Sequence, residues 1–346
     1  MPIEQFQHSW HLRRKINQQV FDNIARLEHI ARHSHSQEQL LTALHPWNAP
    51  VQLRFNNQWP LFIALCGLGC WLPLWLWSHW LSYLLAVIGL CALFYAYLSY
   101  EISEPIKNTI QALEQSSIQH QYQLAFQQQP RYINTPLNPV LFVAQLRQLY
   151  PVFSRGNLRN DLPFYASGIW QDHLGIDHQI LCFEYCYTHE VVIRDQHGEK
   201  LKIKEQEERL WGVFVLNIDL PLKGLAFTTL NSRFGAPYIY PWHSSDIQTN
   251  QIVKIYTDDE LSAAKRLTPA HVLHISEFLL QQPGDLLFHP EHQSLCFLTK
   301  RNLFELQSKA KQIHTISELR GHLRTLKLPH LERLQAHMLH LLKHYH

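Results

Sequence analysis

Three histidines near the end of the printed sequence, His337, His340 and His344, are spaced by three and four residues. On a helix this spacing places all three on one face, where imidazoles can bind zinc or copper. The alternative is a solvated polar face opposite Leu334 and Met338. Because the chain contains 24 histidines, chance clusters are expected, and the sequence favours the polar face.

A second set of candidate metal ligands is formed by Cys182, Cys186 and His189. The cysteines lie four residues apart in a strand-like run, so both point to one face of a strand. Metal-binding cysteine pairs usually lie in turns, and no second pair follows at zinc-finger spacing. The pattern favours packing in the core, and the six cysteines of the chain predict free thiols rather than a disulfide scaffold.

The stretch YTDDE, from Tyr256 to Glu260, brings together three carboxylates that could bind a cation. It lacks the alternating oxygen ligands and the glycine of a calcium loop. A helix start is the preferred interpretation, because acidic side chains stabilise the positive end of the helix dipole.

Other catalytic signatures are absent from the sequence. Nucleophile elbows, phosphate loops, dinucleotide fingerprints, zincin motifs and kinase signatures do not occur. We therefore expect no catalytic residue and no cofactor, and an enzyme is the less favoured class. A formal net charge of +2 gives no basic footprint, so no nucleic-acid partner is expected.

The most informative element is an apolar block from Pro60 to Tyr100 that contains no Lys, Arg, Asp or Glu. One membrane span needs about 20 apolar residues, and this block has twice that length. The polar pair Ser78–His79 lies near its middle. We expect a transmembrane helical hairpin at 59–100, with spans at about 60–77 and 80–100. A helical pair buried in a soluble core is the alternative, but such helices rarely lack charges on every face.

Orientation and packing of the spans follow from flanking charges and small residues. Arg54 precedes the first span and Lys107 follows the second, whereas the tip has no Lys or Arg. The positive-inside bias predicts that both termini lie in the cytoplasm. No cleaved signal peptide is expected from MPIEQFQHSW. Small residues would let the spans pack closely or form a homo-oligomer; they are Ala64, Gly67 and Cys70 on the first span and Ala86, Gly89, Ala92 and Ala96 on the second.

The rest of the chain predicts an α+β fold with a largely antiparallel sheet and flanking helices, because strand-like runs follow one another without alternating helices. Strands are expected from about residue 165, and the helix after Ser103 is expected to continue towards Phe126. Thr268 and Pro269 mark the start of another helix. The expected organisation is an N-terminal helical region at 1–58, the hairpin at 59–100, juxtamembrane helices at 101–160, an α+β domain at 161–310 and C-terminal helices at 311–346.

The run IVKIYTDDELSAAKRLTPAHVLHISEFL resembles a bacterial membrane-protein family catalogued as domain-of-unknown-function family 3137. Its members carry a Val-Tyr-Ser-Thr-Asp-Gln-Val-Glu-Ala-Arg-Tyr-Ile-Leu-Thr-Pro type signature before a helix. This sequence has Ser262-Ala263-Ala264 where the family shows Glu-Ala-Arg. The resemblance implies a multi-pass protein of the bacterial inner (plasma) membrane with a helical arm, two close spans and an α+β domain. It implies no activity. The matching residues are Tyr256, Asp259, Ala263, Leu267, Thr268 and Pro269.

Three classes of function are compatible with these features. The leading hypothesis is a membrane-anchored, non-catalytic cytoplasmic module that contacts the lipid bilayer and binds a protein partner. The alternatives are a membrane-bound enzyme with an unrecognised site and an oligomeric membrane scaffold.

Overall fold

The computed structural model describes residues 15–48, 51–72, 80–126, 139–194, 200–218, 220–307 and 313–343. The helices are α1 (Lys15–His33), α2 (Gln37–Ala43), α3 (Gln58–Gly69), α4 (Trp80–Ser99), α5 (Glu104–Tyr122), α6 (Pro139–Leu149), α7 (Ile247–Ile252), α8 (Glu260–Arg266), α9 (Pro269–Gln281), α10 (Ile316–Arg324) and α11 (Pro329–Lys343). The strands are β1 (Ala125–Phe126), β2 (Arg159–Gln171), β3 (Asp177–Arg194), β4 (Lys200–Leu216), β5 (Leu225–Thr228), β6 (Tyr240–Trp242), β7 (Lys254–Thr257), β8 (Asp285–Phe288) and β9 (Ser294–Thr299), and a 3-10 helix spans Pro151–Ser154.

The chain divides into two compact units. Residues 1–121 and 308–326 form the helical unit, and residues 122–307 and 327–346 form the sheet unit. This division differs from the segments expected at 101–160 and 311–346. Helix α5 belongs to the helical unit and α6 to the sheet unit, and the C-terminal helices are likewise separated. The reason is packing, since Leu319 and Leu323 of α10 are buried in the core of the helical unit.

The core of the helical unit is built from α1, α2, α5 and α10. Val20, Ile24 and Leu27 recur on one face of α1 and are buried, as expected for an amphipathic helix. Ser36 caps α2 by accepting a hydrogen bond from the backbone N–H of Gln39. The N-terminal region, expected to be helical at 1–58, contains α1 over Lys15–His33, and residues 1–14 lie outside the described residues.

The two apolar helices α3 and α4 pack against each other through small residues. Gly67 and Gly89 are buried between them, and a Cβ built at Gly89 would lie 2.6 Å from the carbonyl oxygen of Gly67. At the other end of the pair, the Asn57 side chain accepts from the N–H of Glu101 at 3.2 Å and donates to its carbonyl at 2.8 Å. The start of α3 therefore lies beside the end of α4. The expected tip, with Ser78 and His79, lies outside the described residues.

The sheet unit is built on one nine-stranded sheet in the order β1-β2-β3-β4-β9-β8-β5-β7-β6. Every neighbouring pair in this order is antiparallel. The mixture of helices with an antiparallel sheet confirms the α+β class predicted from the sequence. The sequence predicted strands from about residue 165, but the sheet starts earlier in the chain. Strand β2 begins at Arg159, and the short strand β1 precedes it at Ala125–Phe126.

Helices cover both faces of the sheet. On one face, α6 and the 3-10 helix pack on an aromatic cluster that includes Phe153, Phe183 and Phe214. In β9, Cys296 and Leu298 belong to this cluster, so Phe297 between them points to the opposite face. There it meets Phe278 of α9, with ring centroids 5.3 Å apart. The core is therefore layered as helix, sheet and helix.

The helix after Ser103 is shorter than the sequence predicts. It ends at Tyr122, and Gln123 has a positive φ of 52°, which turns the chain out of the helix. The two residues Ala125 and Phe126 then pair with β2 instead of continuing the helix. The prediction of a helix towards Phe126 is therefore wrong over its last turn.

Candidate functional site

A cavity of about 870 Å³ lies in the sheet unit, between α6 and the end of the sheet where β3 begins, β4 ends and β9 begins. Fourteen described residues line it: Gln145, Leu146, Gln148, Leu149, Tyr150, Gln179, Leu181, Phe214, Leu216, Asn217, Glu291, His292, Gln293 and Ser294. Its size lies in the range of small-molecule sites in proteins, about 300–1,000 Å³. We call it the amide cavity, after its glutamine and asparagine side chains.

The floor of the amide cavity is apolar and firmly held. Leu181 of β3 and Phe214 of β4 are cross-strand partners, and both are buried in the core. Tyr150, which follows α6, packs its ring 5.4 Å from that of Phe214. The Tyr150 hydroxyl also lies 2.8 Å from the Ser294 hydroxyl at the start of β9. Burial, followed by the neighbouring Cys296 thiol, raises the pKa of this phenol well above its usual value, so it stays protonated.

The loop between β8 and β9 forms one rim of the cavity. His289 anchors it, since its Nδ1 atom accepts hydrogen bonds from the backbone N–H groups of Glu291 (3.1 Å) and His292 (2.9 Å). The rings of His289 and His292 lie 4.4 Å apart. Burial and the nearby His292 lower the pKa of His289 to about 4, so this imidazole is neutral at pH 7.

The polar groups of the lining are mostly uncharged. Five carboxamides, from Gln145, Gln148, Gln179, Asn217 and Gln293, supply both donors and acceptors. Glu291 brings the carboxylate of the lining, and the described lining residues include no lysine or arginine. This arrangement can accept hydrogen bonds from a ligand and donate to it, but among its described residues it has no lysine or arginine to pair with an anionic ligand.

Two of the three histidines at the C-terminus lie beside a small cavity of about 50 Å³ between α9 and α11. The Nδ1 atom of His337 is 3.0 Å from the Nε2 atom of Gln282. Burial, His340 and Arg333 lower the pKa of His337. His344 lies outside the described residues, and within the described ranges no group of three or more His, Cys, Asp or Glu could hold a metal ion.

The structure separates the cysteine candidates from their histidine. Cys182 and Cys186 share one face of β3, and residue 189 falls on the other face because strand side chains alternate. His189 instead stacks on Tyr187, with ring centroids 6.1 Å apart. Cys182 is fully buried, which raises its pKa to about 12 and keeps the thiol protonated. The core interpretation of Cys182 agrees with this placement.

The acidic stretch 256–260 forms the start of a helix. Asp259 caps α8 by accepting hydrogen bonds from the N–H groups of Leu261 and Ser262. Asp258 lies against Gly224, whose φ of +72° and close approach leave no room for a side chain.

The six residues that carry the family resemblance occupy structural positions. Thr268 caps α9 by accepting from the N–H of His271, and Pro269 lies in the first turn. Ala263 and Leu267 are buried, and Tyr256 packs its ring 5.5 Å from that of Phe234. Because Asp259 caps α8, the matching residues mark the start of α8, its end and the start of α9.

A buried ion pair in the sheet unit was not anticipated from the sequence. Arg155 Nη2 lies 2.5 Å from Asp285 Oδ2, and Asp285 is fully buried. Its carboxylate also accepts hydrogen bonds from Thr228 (2.5 Å) and Ser232 (2.7 Å). An Arg and an Asp 130 residues apart give no local pattern, so only the fold brings them together.

The amide cavity was not predicted either, because glutamines and leucines from four separate segments form no motif. No family model matches the chain, and no curated protein and no solved structure matches it.

Proposed function

We propose that the protein is anchored in the bacterial inner membrane by α3 and α4 and that its sheet unit is a non-catalytic binding module in the cytoplasm. The observation that carries the proposal is the exposure of the apolar helices. Leu65 on α3 is 68% exposed and Val87 on α4 is 61% exposed. Soluble proteins rarely expose large contiguous apolar surfaces unless these contact a membrane or a partner.

The length of α4 supports a membrane crossing. Its 20 residues rise by about 1.5 Å each, or roughly 30 Å, which is the thickness of the hydrocarbon core. Among the described residues, one candidate membrane span falls within Tyr83–Tyr122, a stretch that contains most of α4 and all of α5, and 11% of its apolar window is buried. A core helix of a soluble protein would be mostly buried. Gln58–Gly69 is a shorter apolar helix, and its apolar sequence continues up to Trp80.

The second crossing is part of the same proposal. The contacts of Asn57 with Glu101 hold the start of α3 and the end of α4 together, which supports placing both on one side of the bilayer. Exposed aromatic rings at this end, Trp59 and Tyr100, suit the headgroup level. With Arg54 and Lys107 flanking the spans, the positive-inside bias places this side in the cytoplasm.

Two observations support a binding module in the sheet unit. The amide cavity offers a binding site, and Asp259 and Cys182, which were candidates for metal binding or catalysis, act as a helix cap and a core side chain. Membership of domain-of-unknown-function family 3137 remains a hypothesis that agrees with this arrangement. A protein partner also remains a hypothesis, and affinity purification from membranes followed by mass spectrometry tests it. An oligomer would have to use another face of the helix pair, because Gly67 and Gly89 already face each other.

Flotation of membranes through a sucrose gradient after carbonate washing tests the anchor. We expect the full chain to float with the lipids. An Asp at the centre of a span costs about 2.5–3.5 kcal/mol, so Leu68→Asp combined with Leu90→Asp should release the protein. The control is Leu261→Asp, because Leu261 in the sheet unit is 75% exposed and should tolerate the charge. A wild-type chain that stays at the bottom of the gradient would contradict the proposal.

A further inference from the structure

The amide cavity combines an apolar floor with a polar rim, the usual composition of a small-molecule site. Leu146, Leu181 and Phe214 are buried side chains that still line the cavity. Gln145, Gln148 and Gln293 are exposed at its rim. A ligand could therefore bury an apolar body against the leucines and form hydrogen bonds with the carboxamides.

The walls of the cavity are held in place by contacts that do not involve a ligand. The hydroxyls of Tyr150 and Ser294 join the end of α6 to the start of β9. The backbone N–H of Ile218 donates to the carbonyl of Gln293 at 3.1 Å, which ties the rim loop to the end of β4. His289 fixes the same loop from below through its Nδ1 atom. A cavity held in this way loses little conformational entropy when it is filled, which favours binding.

Charge selects among ligands of the same shape. Glu291 is the acidic residue of the lining, and the described lining residues offer no lysine or arginine to an anion. The neutral state of His289 behind the rim adds no positive charge at pH 7. An anionic ligand would lose part of its hydration without gaining a lysine or arginine of the described lining as its partner, and that loss is unfavourable.

We propose that the amide cavity binds a small uncharged or cationic molecule with an apolar body and amide, hydroxyl or amine groups. This inference goes beyond the proposed membrane anchor and does not depend on it, since the cavity lies wholly within the sheet unit.

The test uses three probes that share one apolar body and differ in charge: 3-phenylpropylamine, 3-phenylpropionamide and 3-phenylpropionate. Saturation-transfer NMR is recorded with the full chain in lipid nanodiscs, and empty nanodiscs provide the blank. We expect the amide and the amine to bind with dissociation constants on the order of 1 mM, as is usual for fragments. The carboxylate should bind at least about fivefold more weakly, because one carboxylate a few ångströms away repels it.

Variants at exposed rim positions assign the binding to this cavity. Glu291→Gln should remove the advantage of the amine over the carboxylate. Gln148→Trp should weaken all three probes by about fivefold or more, because the indole fills the cavity. Gln251→Trp is the matched control, since Gln251 is exposed on α7 and does not line the cavity.

Two results would overturn the proposal. The first is equal affinity of the wild-type protein for the amine and the carboxylate. The second is probe binding that Gln148→Trp and Gln251→Trp leave equally unchanged. Failure of the membrane anchor would appear in the flotation experiment. In that case the same NMR measurement is recorded with the full chain in buffer, so that failure of the anchor and failure of the cavity are distinguished.

Discussion

Alanine substitutions at three glycines of the apolar helix pair test whether α3 and α4 pack as the structure shows. A Cβ at Gly67 would lie 2.9 Å from the carbonyl oxygen of Gly89, and a Cβ at Gly89 would lie 2.6 Å from that of Gly67. A Cβ at Gly69 meets nothing within 4 Å. Gly69 lies in the same helix as Gly67, so Gly69→Ala is the matched control.

The required movement sets the order of the effects. Ordinary contact begins at about 3.4 Å, so Gly67→Ala forces a separation of about 0.5 Å and Gly89→Ala one of about 0.8 Å. Gaps of 0.5–1 Å forfeit roughly a quarter to a half of each van der Waals contact. The nearest obstacle in each case is a backbone carbonyl oxygen, which cannot rotate away. Overpacking of this kind typically costs about 1–3 kcal/mol.

Measuring the substitutions relative to Gly69→Ala largely cancels the gain of up to about 1 kcal/mol in helix propensity. On that scale we expect losses of about 1–2 kcal/mol for Gly67→Ala and about 2–3 kcal/mol for Gly89→Ala. The free energy of unfolding is obtained by titrating dodecyl sulfate into mixed micelles and following tryptophan fluorescence. The ring of Trp71 lies 2.9 Å from a Cβ at Gly89, so it reports on this contact. If all three variants agree within about 0.5 kcal/mol, the helices do not touch as described.

Three further predictions concern the sheet unit. Thr268→Ala removes a helix cap and should cost about 1 kcal/mol in urea unfolding; a loss well above about 2 kcal/mol would assign Thr268 another role. Arg155→Ala leaves the Asp285 carboxylate buried without its guanidinium and should cost about 3–5 kcal/mol; adding Asp285→Asn should restore part of that loss, and no restoration would refute the ion-pair account. His289 has a pKa of about 4 in the folded chain, below the value of about 6.5 expected in the unfolded chain. Between these pH values the unfolded state binds more protons than the folded state. The free energy of unfolding therefore falls as the pH drops through this window. Between pH 7 and pH 4, the free energy of unfolding should fall by roughly 2–3 kcal/mol more in the wild type than in His289→Gln. Equal falls in the two proteins would contradict the assignment.

The local elements of the fold were largely predictable, because caps and periodicity are written in neighbouring residues. Thr268 with Pro269 marked α9, and the structure places the helix start at Pro269. The end of α5 was missed, since no glycine or asparagine at position 123 indicates the left-handed backbone conformation that Gln123 adopts. The pairing of Ala125 with Ser167 depends on a partner far along the chain, which no local pattern contains.

The candidate site shows the same limit more sharply. Asp259 and Cys182 are residue types that can bind metals or take part in catalysis, and they were candidates in the sequence for that reason. In the structure they serve as a helix cap and a core thiol. The amide cavity is built from residue types that carry no motif, and it depends on how α6 is placed over the sheet. Tyr150 and Ser294 lie 144 residues apart, so their contact required the tertiary structure.

The central claim is the two-span anchor, and labelling of single cysteines with a membrane-impermeant maleimide tests it most directly. In a background with the six native cysteines replaced, Ser78→Cys marks the expected tip and Ser103→Cys marks the region after α4. Spheroplasts should label Ser78→Cys at once, and Ser103→Cys only after the membrane is permeabilised. Immediate labelling of Ser103→Cys, or protection of Ser78→Cys until permeabilisation, would contradict a hairpin with both ends in the cytoplasm.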